Sequence, residues 1–143
     1  MKLTKQDEEL ILLAGKIAKK NIDLYPKENF AVGCVVKTKS GKIYKGVNLK
    51  TAHSVCAEQV AIGQAFACGE REFETIVAVR YENDETRVVS PCGLCRYIFN
   101  QFNLNFNVIV EDVANRKVLK IKAKELLPYP YKGDLPKKVK KIK

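Results

Sequence analysis

The sequence has no tryptophan, no apolar run near the roughly 18 residues that a membrane-spanning helix requires, and only 16 acidic residues against 26 lysines and arginines. The first absence, with aromatics that are not interleaved among Lys and Arg, argues against a base-stacking surface for nucleic acid. The second leaves no candidate membrane span, and the opening MKLTKQDEEL shows neither a signal core nor a transit pattern, so the expected compartment is the cytoplasm. The third gives a formal net charge of +10, but five of the excess lysines sit in the last seven residues, KKVKKIK. Such a block of like charge is expected to be a solvated, mobile extension rather than a binding stripe.

What is present suits a globular enzyme. A length of 143 residues with 46% apolar and 29% charged residues fits one domain with a core of its own, expected over 1–132 with a basic tail over 133–143. Thr4-Lys5-Gln6-Asp7 reads as a capping box opening a helix with the stripe Leu10, Leu13, Ala14, Ile17 and Ala18, broken before Pro26. Phe30 to Thr38 and Lys42 to Leu49 read as strands joined through Gly41. From Cys56 to Cys68 apolar residues recur nearly all round, which predicts a helix buried on every side. Glu74 to Tyr81 is a continuous apolar strand of the kind covered on both faces. Pro91 opens a further helix, and FNVIVEDV and KVLKI complete the strands before a short helical turn at AKELLP. The succession predicts a three-layer α/β/α sandwich on a mixed sheet of about five strands, with parallel pairing after an antiparallel opening hairpin.

Five cysteines, at 34, 56, 68, 92 and 95, form an odd set in a chain without an export signal, which favours metal or catalytic use over disulfides. SPCGLC places Cys92 and Cys95 at C-x-x-C spacing at a helix start, where N–H groups favour thiolates. Alone, the pair also suits a redox couple or a structural zinc knuckle. If Cys56 opens its helix at the same edge of the sheet, three thiolates can converge on one zinc and leave its fourth position open, the mark of a catalytic site. Glu58, two residues beyond the first ligand, could then serve the proton of an activated water.

The pair CAE and SPCGLCR resembles the cytidine deaminase superfamily, specifically the small homotetrameric cytidine deaminases and the blasticidin-S deaminases. FAVGCVVKTKSGKIYKGVN and ELLPYPY extend the resemblance over most of the chain. It implies zinc held by Cys56, Cys92 and Cys95, proton transfer by Glu58, and hydrolysis of a cytosine-ring amino group with release of ammonia. It further implies a nucleoside pocket with Phe30 in its wall, Asn48 on the sugar, backbone at Ala57 and Ser90 on the base, and Tyr131 as the aromatic after the Leu-Leu-Pro. Taken singly, Phe30 would be a core residue and Asn48 a turn residue; their placement relative to Cys56 raises both. The implied assembly is a homotetramer.

Two positions depart from the nucleoside enzymes. Lys50 stands where they carry a ribose-binding glutamate, and a lysine cannot accept a hydroxyl proton. Gln59 stands where many carry an arginine beside the thiolates, and is expected to contact a ligand sulfur. Cytidine or deoxycytidine is the expected substrate, with a blasticidin-S-type or other cytosine analogue as the alternative. A nucleic-acid deaminase and a zinc-stabilised interaction module are more distant readings.

Overall fold

Thr4 begins the first helix as its sequence requires. Its Oγ1 accepts from Asp7 N at 3.2 Å while its own N–H donates to Asp7 Oδ2 at 2.8 Å. The computed structural model describes residues 1–102 and 104–131, so the expected basic tail lies outside the described residues. In chain order the elements are α1 (Lys5–Lys20), a 3-10 turn (Ile22–Leu24), β1 (Phe30–Thr38), β2 (Ile43–Val47), α2 (Ala57–Ala67), β3 (Phe73–Glu82), β4 (Glu85–Val89), α3 (Gly93–Gln101), β5 (Asn107–Asp112), β6 (Lys117–Lys122) and a 3-10 turn (Ala123–Leu126).

The sheet runs β2-β1-β3-β5-β6, with β4 also on β3. β3 divides one edge between two partners: Thr75 to Val77 pair with β5 and Ala78 to Glu82 pair with β4. Leu10 and Ala14 of α1 bury Val35, Val77, Val79 and Ile109 on one face. α2 and α3 cover the other face, where Ala61, Ile62, Cys95 and Phe99 pack on Cys34, Val36, Ile76 and Val108. Each fully buried Val, Ile or Phe contributes roughly 1.5–3 kcal/mol, so this double coverage is what makes β3 the stable centre.

Three features differ from the sequence reading. The sheet has six strands, because Asn83 and Asp84 both take positive φ (52° and 62°) and turn β3 tightly into β4. Among the described residues, β3 and β5 are the only adjacent strands that run parallel; β2 and β3 run the same way, but with the antiparallel β1 between them. α2 is not buried all round: Gly63, Gln64 and Ala67 are exposed, as is Cys68 at its C-cap. Alanines and glycine leave so little apolar area that this face tolerates water.

Two glycines set how closely helices approach the sheet. A Cβ on Gly33 would meet Ala14 O at 2.3 Å in α1, and one on Gly46 would meet Ala57 O at 2.2 Å in the first turn of α2. Gly46 therefore seats the N-terminus of α2, where Cys56 stands as N-cap.

Candidate metal centre and active site

Cys56 and Cys92 are the N-caps of α2 and α3, and Cys95 lies in the first turn of α3. The two helices start beside each other, so their N–H groups and dipoles favour negative charge at one spot. All three sulfurs lie within 4.8 Å of one another, and Cys56 Sγ and Cys92 Sγ are 3.4 Å apart. Sulfurs bound tetrahedrally to zinc at ~2.3 Å lie ~3.8 Å apart, so the cluster has the span of a zinc site. Among the described residues no fourth Cys, His, Asp or Glu joins it. His53, on the loop before α2, is exposed.

As thiolates, the three sulfurs would need a cation beside them. Burial, and then the neighbouring Cys92, push Cys56 up to about 11. Burial, and then the Glu58 charge, push Cys95 up as well. Cys92 is lowered: burial raises it, but the Cys95 backbone N–H and the Cys56 thiol outweigh that. Burial and mutual repulsion oppose ionising the whole set, and a divalent ion would compensate them. The donor set thus fits zinc.

Glu58 is 6% exposed and faces the same cavity. Burial raises its carboxyl above the usual range, partly offset by its own backbone N–H and the Cys95 thiol. Gln59 donates from Nε2 to Cys95 Sγ at 3.7 Å.

A cavity of about 310 Å³ opens beside the cysteines, lined by Phe30, Val32, Asn48, Leu49, Lys50, Ser54, Val55, Cys56, Ala57, Glu58, Val89, Ser90 and Cys92. The expected Phe30, Asn48, Ala57 and Ser90 are all in its wall. Asn48 Oδ1 accepts from Val32 N at 2.9 Å, which turns its amide nitrogen free of that bond. Ser90 Oγ exchanges two hydrogen bonds with the Glu111 backbone, both 3.2 Å, tying this wall to β5. Tyr131 is not in the cavity. The residue is 75% exposed, and its carbonyl accepts from Gln101 at the far end of α3.

Two contributors went unread in the sequence. Tyr25 Oη donates to Asn48 O and accepts from Lys50 N at 2.9 Å, clamping the strand end that forms the mouth. Arg80 lies 4.2 Å from the Phe30 ring centroid. The β1–β3 register pairs Val32 with Arg80, so the alternation of side chains could have put Arg80 on the cavity face.

A family model, the cytidine and deoxycytidylate deaminase zinc-binding region, matches residues 4–111, which include all three cysteines and Glu58. The chain belongs to the cytidine and deoxycytidylate deaminase family. Within it, a blasticidin-S deaminase of Bacillus cereus is 37% identical over 90% of this chain and 94% of its own length. A probable cytidine deaminase of Dictyostelium discoideum is 32% identical over 72% of this chain and 69% of its own. The crystal structure of cytidine deaminase from Burkholderia pseudomallei superposes with a TM-score of 0.65 at 27% identity, covering 90% of this chain and all (100%) of that one. As a member of this family the chain is a zinc-dependent deaminase, and the mixed sheet with flanking helices is the fold of its cytidine deaminase neighbours.

Proposed function

We propose that the chain hydrolyses the exocyclic amino group of a cytosine ring in a small molecule, cytidine or deoxycytidine giving the uracil nucleoside and ammonia. The observation that carries this is the convergence of Cys56, Cys92 and Cys95 beside the buried Glu58 at the floor of one cavity. Cys56, Cys92 and Cys95 would hold a zinc ion, which when bound would supply an activated water for the ring carbon that bears the amino group. Glu58, kept from solvent and raised above the usual carboxylate range by burial, takes and returns protons there. Backbone at Ala57 and Ser90 orients the ring, Phe30 covers it, and Asn48 offers its amide to the sugar. Gln59 and the two helix N-termini spread the charge of the thiolates.

A second reading, a blasticidin-S-type or other cytosine analogue, is favoured by Lys50. Lys50 lines the cavity mouth, where its Nζ is 3.0 Å from Glu28 Oε1, and the blasticidin-S deaminase relative covers nearly the whole chain. No helix among the described residues is long and apolar enough to cross a membrane, and we take the enzyme to act in the cytoplasm as a homotetramer. Such an assembly would give the exposed Tyr131 a neighbouring subunit to meet.

Zinc analysis combined with a deamination panel of cytidine, deoxycytidine, cytosine and blasticidin S tests the proposal. Ammonia release from at least one nucleoside by zinc-loaded protein is expected. A zinc-loaded protein that deaminates none of the four would overturn it.

A further inference from the structure

Phe30, in the cavity wall, carries two cations on its ring. Lys50 Nζ lies 5.0 Å and the Arg80 guanidinium 4.2 Å from the centroid of Phe30. Phe30, Val32 and Arg80 share a sheet face through the β1–β3 register, and Val32 packs on the α2 and α3 side, so Lys50 lines the cavity that holds the cysteines while Arg80 is on the same sheet face against the Phe30 ring, beyond the residues that line the cavity. Neither cation is spent. Lys50 meets Glu28 at 3.0 Å and Arg80 Nη2 meets Glu82 at 2.9 Å, but these side chains are 38–39% exposed. Such solvent-screened pairs are worth roughly 0–1 kcal/mol and exchange readily for another anion. Arg80 Nε is buried and has no acceptor among the described residues. Together an ammonium and a guanidinium present eight N–H donors by their chemistry, of which the two ion pairs engage few.

We propose that Lys50 and Arg80 form a subsite for an anionic group, carboxylate or phosphate, on the sugar side of the cytosine ligand. The inference rests on the reading above, in which the ring's amino group faces Cys56 and Glu58 and its substituent faces Phe30 and Asn48. A lysine at this mouth is then no loss of recognition: it exchanges hydroxyl acceptance for charge recognition, completed by the planar guanidinium of Arg80.

The test is calorimetric binding to zinc-loaded Glu58→Gln protein, with four ligands: cytidine, cytidine 5′-monophosphate, cytidine 5′-carboxylic acid and 5′-amino-5′-deoxycytidine. Turnover of the same ligands by the unaltered enzyme is followed in parallel. At least one anionic ligand is expected to bind roughly tenfold tighter than cytidine or better, as charge-assisted hydrogen bonds allow. That ratio should shrink in 0.5 M salt and collapse toward one in Lys50→Met and in Arg80→Gln protein. Lys50→Met, on the surface, keeps the test open should the Arg80 variant fold poorly. Gain with the phosphate alone or with the carboxylate alone names the source of the anion, and either supports the subsite. Equal binding of cytidine and both anions, an advantage that survives Lys50→Met, or tightest binding of the amino ligand would overturn it. Cytidine deaminated without anion preference sinks the subsite alone; binding and turnover of none of the four sinks the reading beneath it.

Discussion

Gln59 Nε2 donates to Cys95 Sγ across 3.7 Å, from the first turn of one helix to the first turn of the other. It is a neutral donor on a site whose three thiolates outweigh a divalent charge by one. Replacing it by leucine removes that donor without opening a path to water. Partners of metal ligands are typically worth 10- to 100-fold in metal affinity or activity, so Gln59→Leu should lower zinc affinity or kcat by about tenfold. Gln59→Arg should retain zinc at least as well as the unaltered chain. Competition for zinc against a chelator measures both.

Tyr25 should act through KM. Its hydroxyl joins Asn48 O to Lys50 N, and Tyr25→Phe deletes both bonds while keeping the ring. The expected result is a several-fold rise in KM for the nucleoside with kcat nearly unchanged, and a stability loss of about 1–2 kcal/mol. Steady-state kinetics beside urea unfolding would show it.

Gly46 and Gly33 allow a matched comparison. An added methyl at Gly46 meets the α2 backbone (Ala57 O at 2.2 Å), and one at Gly33 meets the α1 backbone (Ala14 O at 2.3 Å). Both alanine variants should lose roughly 1–3 kcal/mol of stability, as overpacked cores do. Only Gly46→Ala should also weaken zinc binding, because α2 carries Cys56 and α1 carries no ligand. Equal zinc affinity in the two variants would show that α2 can shift without moving its cap.

Acid should act through Asp7. Burial pushes its carboxyl up, but the Thr4 N–H, Lys120 and the Thr4 hydroxyl together hold it below the usual range. Lys120 Nζ lies 2.9 Å from Asp7 Oδ2, joining α1 to β6. A folded value below the unfolded one, about 3.9, means stability that is present above about pH 4 and lost as pH falls through the folded value. Asp7→Asn should lower stability near neutrality and flatten the pH dependence below about pH 4. Urea titrations across that range measure the difference.

The cysteine cluster was legible because its signal is local in sequence: each half is a helix start, and the tertiary fact needed was that the two starts lie side by side. α1 was legible for the same reason, since Thr4 and Asp7 cap it reciprocally and its stripe repeats at helical spacing. β4 was harder. ETRVV has one buried residue, Val88, so it shows no apolar run, and the evidence for it was the Asn83-Asp84 pair that accepts positive φ. Parallel neighbours were over-read because the alternation of helices and strands does not reveal that β1 sits between β2 and β3. Tyr25 and Arg80 were invisible for another reason. Their roles exist only through register and loop return, which bring residues 25, 48 and 50, or 30 and 80, together. Tyr131 followed its motif rather than its position, and the chain leads it away from its own cavity.

The most direct measurement is zinc content and cytidine turnover of Glu58→Gln protein beside the unaltered enzyme. In the proposed mechanism Glu58 carries protons and is not a ligand, and a positioned acid–base group contributes roughly two to four orders of magnitude. Both proteins should hold the same zinc per chain, with turnover of the variant down by about 10²–10⁴. Zinc lost with the substitution, or turnover undiminished by it, would contradict the assignment of Cys56, Cys92 and Cys95 as the whole protein ligand set with Glu58 as the catalytic group.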